Sequence, residues 1–128
     1  MSVAPPSETL EILLVEDSRT QALSLKMRLE ALGHRVDVVD SARKALNYVA
    51  TQRPHAIVSD VLMPEMDGYE FCQKVKDDPE LRALPVILMT SLSDPEDLIK
   101  GLTCGADNFI VKPIEEDYLV AGAKWSAV

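Results

Sequence analysis

The feature that most constrains the fold is an alternation between short apolar runs and segments with helical periodicity. Four runs rich in Val, Ile and Leu have strand length and a weaker fifth follows them, at residues 12–15, 36–39, 56–58, 86–89 and 109–111. Between the runs, apolar residues return every three to four positions, as in amphipathic helices. The chain therefore alternates strand and helix five times.

Capping and terminating residues mark the predicted helices. The first helix ends before Gly33, and Asp40 or Ser41 caps the second. A third helix is predicted over 68–77, a fourth from Asp94-Pro95 to Gly105, and a last over 115–123. The apolar stripes of the first two helices are Ala22, Leu25, Leu29 and Leu32, and Ala42, Ala45, Leu46, Val49 and Ala50.

This alternation predicts the α/β class, with βαβ units that form a parallel sheet covered by helices on both faces. Strands of such a sheet are buried on both faces, which explains why the runs are continuously apolar. A length of 128 residues is enough for one domain. We predict a lead-in over residues 1–9 and a single domain over 10–128, without an output domain.

Composition excludes several classes of partner. A net charge of -8 is the wrong sign for binding nucleic acid or an anionic membrane surface. No run reaches the roughly 18 apolar residues of a membrane span, so we expect a soluble, cytoplasmic protein. The two cysteines, Cys72 and Cys104, predict neither a disulfide framework nor a zinc site, and packing is favoured over redox sensing. His34 and His55 lack ligand spacing and are expected at the surface or in turns.

Polar residues follow the ends of four predicted strands. In open parallel sheets, ligands bind beyond the carboxyl ends of the strands, so these residues are expected to converge. Three carboxylates beside one ammonium would repel one another, and a divalent cation such as Mg²⁺ would relieve that repulsion. A hydroxyl and an ammonium suit the oxygens of a phosphoryl group. The residues are Glu16 and Asp17, Asp60, Thr90, and Lys112 and Pro113.

In this order and at these separations, the residues resemble the receiver domain of two-component response regulators, over about residues 10–120. The resemblance is carried by Leu-Val-Glu-Asp at 14–17, Val-Ser-Asp-Val-Leu-Met-Pro-Glu-Met-Asp-Gly at 58–68, Ile-Leu-Met-Thr at 87–90 and Lys-Pro at 112–113. It implies a flavodoxin-like (βα)5 fold with strand order 2-1-3-4-5. It also implies a signalling phosphoacceptor that catalyses only its own phosphorylation and slow dephosphorylation.

The resemblance assigns roles at the phosphorylation site. Asp60 would accept a phosphoryl group from the phosphohistidine of a sensor histidine kinase or a histidine phosphotransfer protein. Glu16, Asp17, Asp60 and the main-chain carbonyl of Leu62 would bind Mg²⁺ or Mn²⁺. Apolar side chains at Leu62 and Leu92 flank the path of attacking water, which predicts slow dephosphorylation.

The resemblance also assigns a switch. Thr90 and Lys112 would contact the phosphoryl oxygens, and the ring of Phe109 would fill the space that Thr90 vacates. The Lys112-Pro113 bond is a candidate cis peptide. The switch would alter the face formed by the fourth helix, fifth strand and fifth helix. This face would bind a downstream protein, an attached domain or a second copy of the chain in a phosphorylation-linked homodimer. On this face we place Asp97, Lys100, Thr103, Asp107, Asn108 and Ile110.

Three other functions fit the residues less well. A phosphorylation-independent interaction module would not need the full set of acids, hydroxyl and lysine. A metal-dependent phosphatase needs a second acid two residues after the nucleophile, where Leu62 stands. A flavin-binding protein needs a phosphate-cradling loop after the first strand, where Glu16 and Asp17 would repel phosphate.

Overall fold

A computed structural model describes residues 9–90, 99–100 and 103–111 of the chain. Helical residues Ile99, Lys100, Thr103 and Cys104 precede the last strand. Three helices and five strands have both ends in the described part, in the order β1 Glu11–Val15, α1 Arg19–Ala31, β2 Arg35–Val39, α2 Ala42–Thr51, β3 Ala56–Asp60, α3 Gly68–Asp77, β4 Val86–Thr90 and β5 Asn108–Val111.

The strands form one parallel sheet in the order β2-β1-β3-β4-β5. The predicted class and strand order are therefore confirmed. Because every strand runs in the same direction, the carboxyl ends of β1, β3 and β4 lie side by side at one edge. The register pairs Asp60 with Met89 and Thr90 with Val111, so β3 and β4 end within one residue of each other.

Two hydrophobic clusters lie on the two faces of the sheet. The cluster on one face contains Ala22, Leu25 and Leu29 of α1. The cluster on the other face contains side chains of α2 and α3, including the fully buried Phe71. Helices therefore cover both faces, as the alternation of strand and helix predicts.

The helix ends follow the predicted signals. Ser41, and not Asp40, caps α2, since its hydroxyl accepts the Lys44 N–H at 3.1 Å. Asp67 caps α3 by accepting the Glu70 N–H at 2.8 Å, and α3 occupies the predicted range 68–77. Gly33 and Gly105 have φ angles of 96° and 86°, a conformation that glycine adopts without steric cost. The predicted starts of the lead-in and of the fourth helix, and the helix over 115–123, lie outside the described residues.

Three predictions about burial were wrong. Leu32 is 37% exposed because α1 ends at Ala31, and Ala50 of α2 is also exposed. β2 is not buried on both faces, because it is an edge strand and Val38 is 38% exposed.

His34 is buried and not at the surface, with 5% of its area exposed. Its Nδ1 accepts the N–H of Leu10 at 3.1 Å. His55 is exposed, and its Nδ1 accepts the N–H of Glu11 at 2.8 Å. Both imidazoles therefore fix the start of β1, a role that their spacing in the sequence does not indicate.

Candidate functional site

Three carboxylates meet at the carboxyl edge of the sheet. Glu16 and Asp17 directly follow β1, and Asp60 is the last residue of the neighbouring strand β3. One oxygen from each carboxylate lies within 4.8 Å of the other two. The convergence of these three carboxylates, which the sequence predicts, is therefore present in the structure.

Glu16 is held in place by its backbone and its side chain. Its side chain is 1% exposed, and its N–H donates to the carbonyl of Val39 at 3.1 Å, which ties it to β2. Its Oε2 accepts the N–H of Ser18 at 3.3 Å. Ser18 in turn caps α1 by accepting the N–H of Gln21 at 3.4 Å. The start of α1 thereby orients this carboxylate.

Asp60 is 7% exposed, whereas Asp17 is exposed. The Oδ1 of Asp60 accepts the N–H of Leu62 at 3.3 Å, and the N–H of Val61 donates to the carbonyl of Met89 at 3.0 Å. Asp60 is thus fixed by its own loop and by β4. Asp17 lies on the solvent side of the cluster.

Gly68 allows the loop after β3 to close against Asp60. A Cβ at this position would lie 2.5 Å from the Asp60 carbonyl oxygen and 2.9 Å from the Val61 Cα. The N–H of Gly68 donates to the Val61 carbonyl at 2.8 Å, which closes the loop. In the same loop, Glu65 adopts a φ of 69°. In the sequence, Gly68 was recognised only as the end of a motif and the start of the third helix, and this requirement for close backbone approach was missed.

Thr90 and Phe109 lie on adjacent strands. Thr90 is the last residue of β4 and is 3% exposed. Phe109 of β5 is half-buried, pairs with Leu88 and packs against the cluster that contains Leu88. Since side chains alternate along a strand, Leu88, Thr90 and Phe109 are on the same face of the sheet. Thr90 and Phe109 therefore lie on the same face of two neighbouring strands.

Other predicted residues are partly described. Leu62 lies two residues after the end of β3, and its side chain is 58% exposed. Ile110 was predicted on the face formed by the fourth helix, β5 and the last helix, where a partner would bind. This placement was wrong, because Ile110 is 2% exposed and packs in the cluster that contains α1. Thr103, Asp107 and Asn108 are exposed, as is Lys100. Lys112, Pro113, Leu92 and Asp97 lie outside the described residues.

The donor set fits a hard divalent cation. Mg²⁺ and Mn²⁺ prefer oxygen ligands, and Mg²⁺ keeps several waters while it binds one or two carboxylates. A cluster that buries two carboxylates and leaves a third facing solvent provides this arrangement. In the described part of the chain, no helix has the length and apolar composition needed to cross a membrane.

Residues 12–124 match the family model described as the response regulator receiver domain. The match covers most of the chain, and the protein belongs to this family of two-component signalling proteins, whose members receive phosphate from sensor histidine kinases. A curated relative, the response regulator PleD of Caulobacter vibrioides, is 40% identical over 110 residues, which are 86% of this chain and 24% of PleD. The chain thus spans about a quarter of the length of that relative.

Solved structures agree with the family. The receiver domain of a signal transduction histidine kinase from Syntrophus aciditrophicus has a TM-score of 0.86 and 49% identity, covering 92% of this chain and 89% of that one. The receiver domain of a sensor histidine kinase from Pseudomonas aeruginosa PAO1 has a TM-score of 0.86 and 28% identity, covering 94% of this chain and 99% of that one. That second structure has a magnesium ion coordinated in its active site cleft.

Proposed function

We propose that this protein accepts a phosphoryl group on Asp60, in a Mg²⁺-dependent reaction, from the phosphohistidine of a sensor histidine kinase or a phosphotransfer protein. In this proposal residues 10–128 act as one receiver unit. Phosphorylation alters the face formed by the fourth helix, β5 and the last helix, which a downstream protein, an attached domain or a second copy then binds.

The observation that carries the proposal is the meeting of Glu16, Asp17 and Asp60 within 4.8 Å. Like charges this close raise the free energy of the folded protein unless a cation offsets them. The carboxylates and the main-chain carbonyl of Leu62 would hold Mg²⁺, which supplies positive charge to the oxygens of the transferred group. The magnesium ion in the related Pseudomonas receiver supports this assignment.

Asp60 is the nucleophile in this reaction. An oxygen of its carboxylate forms a bond to phosphorus while the phosphorus–nitrogen bond to the donor imidazole breaks. The electron pair of that bond stays on the imidazole nitrogen, which takes a proton from solvent. Because phosphoryl transfer depends mainly on placement and charge stabilisation, the hydrogen bond from the Leu62 N–H contributes by orienting the carboxylate.

Thr90 and Lys112 complete the site. The hydroxyl of Thr90 donates a hydrogen bond to one phosphoryl oxygen, and the ammonium of Lys112 contacts another. Movement of Thr90 leaves space for the ring of Phe109, which shares its face of the sheet. Phosphorylation then shifts an existing equilibrium between two packings of this region.

Intact-mass measurement after incubation with Mg²⁺ and acetyl phosphate tests the proposal. We expect wild type and the control Asp77→Asn to gain one phosphoryl group, and Asp60→Asn to gain none. Chelation of Mg²⁺ with EDTA should abolish the gain. A folded wild type that remains unmodified, or an Asp60→Asn variant modified to the same extent, would contradict the proposal and favour a phosphorylation-independent docking module.

A further inference from the structure

Two thiols from distant parts of the sequence meet in the core. Cys72 lies on α3, and Cys104 is helical and lies shortly before β5. Their side chains are 0% and 4% exposed, and both belong to the cluster that contains α2 and α3. The Sγ of Cys72 donates to the carbonyl oxygen of Cys104 at 3.5 Å, and the two thiols interact closely enough to shift each other's pKa. Thiol contact is the first requirement for a disulfide.

The contact makes the two sulfurs unequal. The interaction with the Cys72 thiol lowers the pKa of the Cys104 thiol, against the effect of burial, and the backbone N–H of Ala106 contributes in the same direction. The same interaction, together with burial, raises the pKa of Cys72. Of the two sulfurs, Cys104 therefore forms a thiolate more readily, and the Cys72 thiol beside it is the candidate resolving group.

Cys104 is one of the residues that line a surface pocket. The pocket has a volume of about 400 Å³ and lies between α3 and the helical residues before β5, with Cys104 in its lining. Its wall includes Tyr69 and Lys100, whose Nζ is 6.0 Å from the centre of the Tyr69 ring. A molecule the size of hydrogen peroxide fits in this space, next to Cys104.

We propose that Cys72 and Cys104 form a peroxide-sensitive dithiol, which closes to a disulfide between α3 and the segment that precedes β5. The Cys104 thiolate attacks one oxygen of hydrogen peroxide, the O–O bond breaks, and hydroxide leaves. The sulfur of Cys72 then attacks the resulting sulfenic acid and displaces its oxygen as water. In total, two thiols and one hydrogen peroxide give one disulfide and two waters, so the sulfurs are oxidised and the peroxide is reduced.

The two cysteines are separate from the carboxylates of the phosphorylation site but lie close to β5, which carries Phe109 of the proposed switch. The segment after Cys104 already contacts α3, because Lys76 pairs with Asp107 at 2.8 Å. Asp107 also accepts the N–H of Val86 at 2.8 Å. A disulfide would add a covalent link between α3 and the residues leading to Phe109. The disulfide would therefore restrain β5, the strand that carries Phe109 of the proposed switch.

The test oxidises the folded protein with hydrogen peroxide, removes the oxidant, then unfolds and alkylates the chain for intact-mass measurement. We expect a monomer that takes up no alkyl groups and has lost two hydrogen atoms. Dithiothreitol should restore two alkylatable thiols, and peptide mapping should find the Cys72–Cys104 cross-link. Cys72→Ser should form a sulfenic acid at Cys104 that dimedone traps, without an intramolecular cross-link.

Circular dichroism checks that each variant is folded, and Cys72→Ala replaces the serine variant if the hydroxyl disrupts the core. The proposal is overturned if the folded wild type keeps both thiols at a peroxide concentration that oxidises the chain in urea. It is also overturned if the cross-link joins only separate chains, or if dithiothreitol does not restore the thiols. Each of these results would show that the native contact does not direct disulfide formation.

Discussion

The two ends of the sheet use polar side chains in opposite ways. At the amino end, His34 accepts the N–H of Leu10, just before β1, at 3.1 Å, and His55 accepts the N–H of Glu11, the first residue of β1, at 2.8 Å. At the carboxyl end, Glu16, Asp17 and Asp60 bring three like-charged groups within 4.8 Å. The amino end therefore satisfies backbone donors, whereas the carboxyl end concentrates negative charge.

This difference distinguishes polar side chains that stabilise the fold from charged side chains that are suited to binding a ligand. A buried acceptor that satisfies a backbone N–H stabilises the fold, because the alternative is an unpaired donor in the core. Carboxylates that face one another destabilise it, and such a conflict is expected where a ligand relieves it. Substitutions at the amino end should therefore lower stability, while neutralising a carboxylate should raise it in the metal-free protein.

Gly68→Ala should give the largest effect, a loss of about 2–3 kcal/mol in the free energy of unfolding. The new Cβ would lie 2.5 Å from the Asp60 carbonyl oxygen, so the end of β3 must shift. Mg²⁺ affinity should fall as well. Gly33→Ala is the control, because it has open space around it and costs about 1 kcal/mol of backbone strain. Urea unfolding measures both, and equal losses would show that the contact at Asp60 has no importance.

His34→Ala should cost about 2 kcal/mol, because the buried N–H of Leu10 loses its acceptor. His34→Asn should recover much of this loss, since the amide oxygen occupies nearly the place of Nδ1. His55→Ala is the matched change at an exposed position, where water can replace the imidazole, and should cost less. Thermal or urea unfolding at pH 8 compares the three variants. If His55→Ala lost as much stability as His34→Ala, the larger effect expected from burial of His34 would be contradicted.

Leu62→Asn should shorten the lifetime of the phosphorylated protein about tenfold, which corresponds to about 1.4 kcal/mol in the barrier to hydrolysis. The Leu62 side chain is 58% exposed beside Asp60 and cannot hydrogen-bond a water, whereas an amide can. The decay of the phosphoryl adduct, followed by intact mass, measures the lifetime. Leu62→Met is the apolar control, and an unchanged lifetime in Leu62→Asn would count against the predicted slow dephosphorylation.

Asp17→Asn should raise the stability of the metal-free protein by about 1 kcal/mol at low salt, because it removes repulsion from Glu16 and Asp60. It should also reduce the increase in stability that Mg²⁺ produces. Glu80→Gln removes the same charge from an exposed turn outside the cluster and serves as the control. If both variants gain the same stability, the reduction in net charge explains the gain, and repulsion within the cluster does not.

The smallest predicted effect is a dependence on pH at the amino end. Burial lowers the pKa of His34 below its ordinary value of 6.5, so the unfolded chain binds a proton first as pH falls. The contribution of this residue to stability is complete above pH 6.5 and is lost below it, by at most about 0.7 kcal/mol between pH 7 and pH 6. Urea unfolding at both values should show the decrease in wild type. His34→Asn should show less of it, and an equal decrease would assign the effect to other groups.

Periodicity predicted most of the fold because each helix and strand has its own pattern of apolar and capping residues within a short stretch of sequence. α3 was located at residues 68–77, and Gly33 and Gly105 end helices as expected. The exceptions depend on neighbours far away in the chain. Val38 belongs to an apolar run yet is 38% exposed, since β2 is an edge strand. Ile110 looks like part of the output face yet is buried against the side of the sheet that α1 covers.

The sequence by itself determined the strand and helix alternation and the acids expected at the strand ends, because parallel strands bring their carboxyl ends to a common edge. Only the tertiary structure decided which distant atoms meet. It paired Cys72 with Cys104, placed His34 against the N–H of Leu10, and put the backbone of Asp60 where only glycine fits at position 68. Local patterns report periodicity and charge, whereas contacts between residues far apart depend on how the helices pack on the sheet.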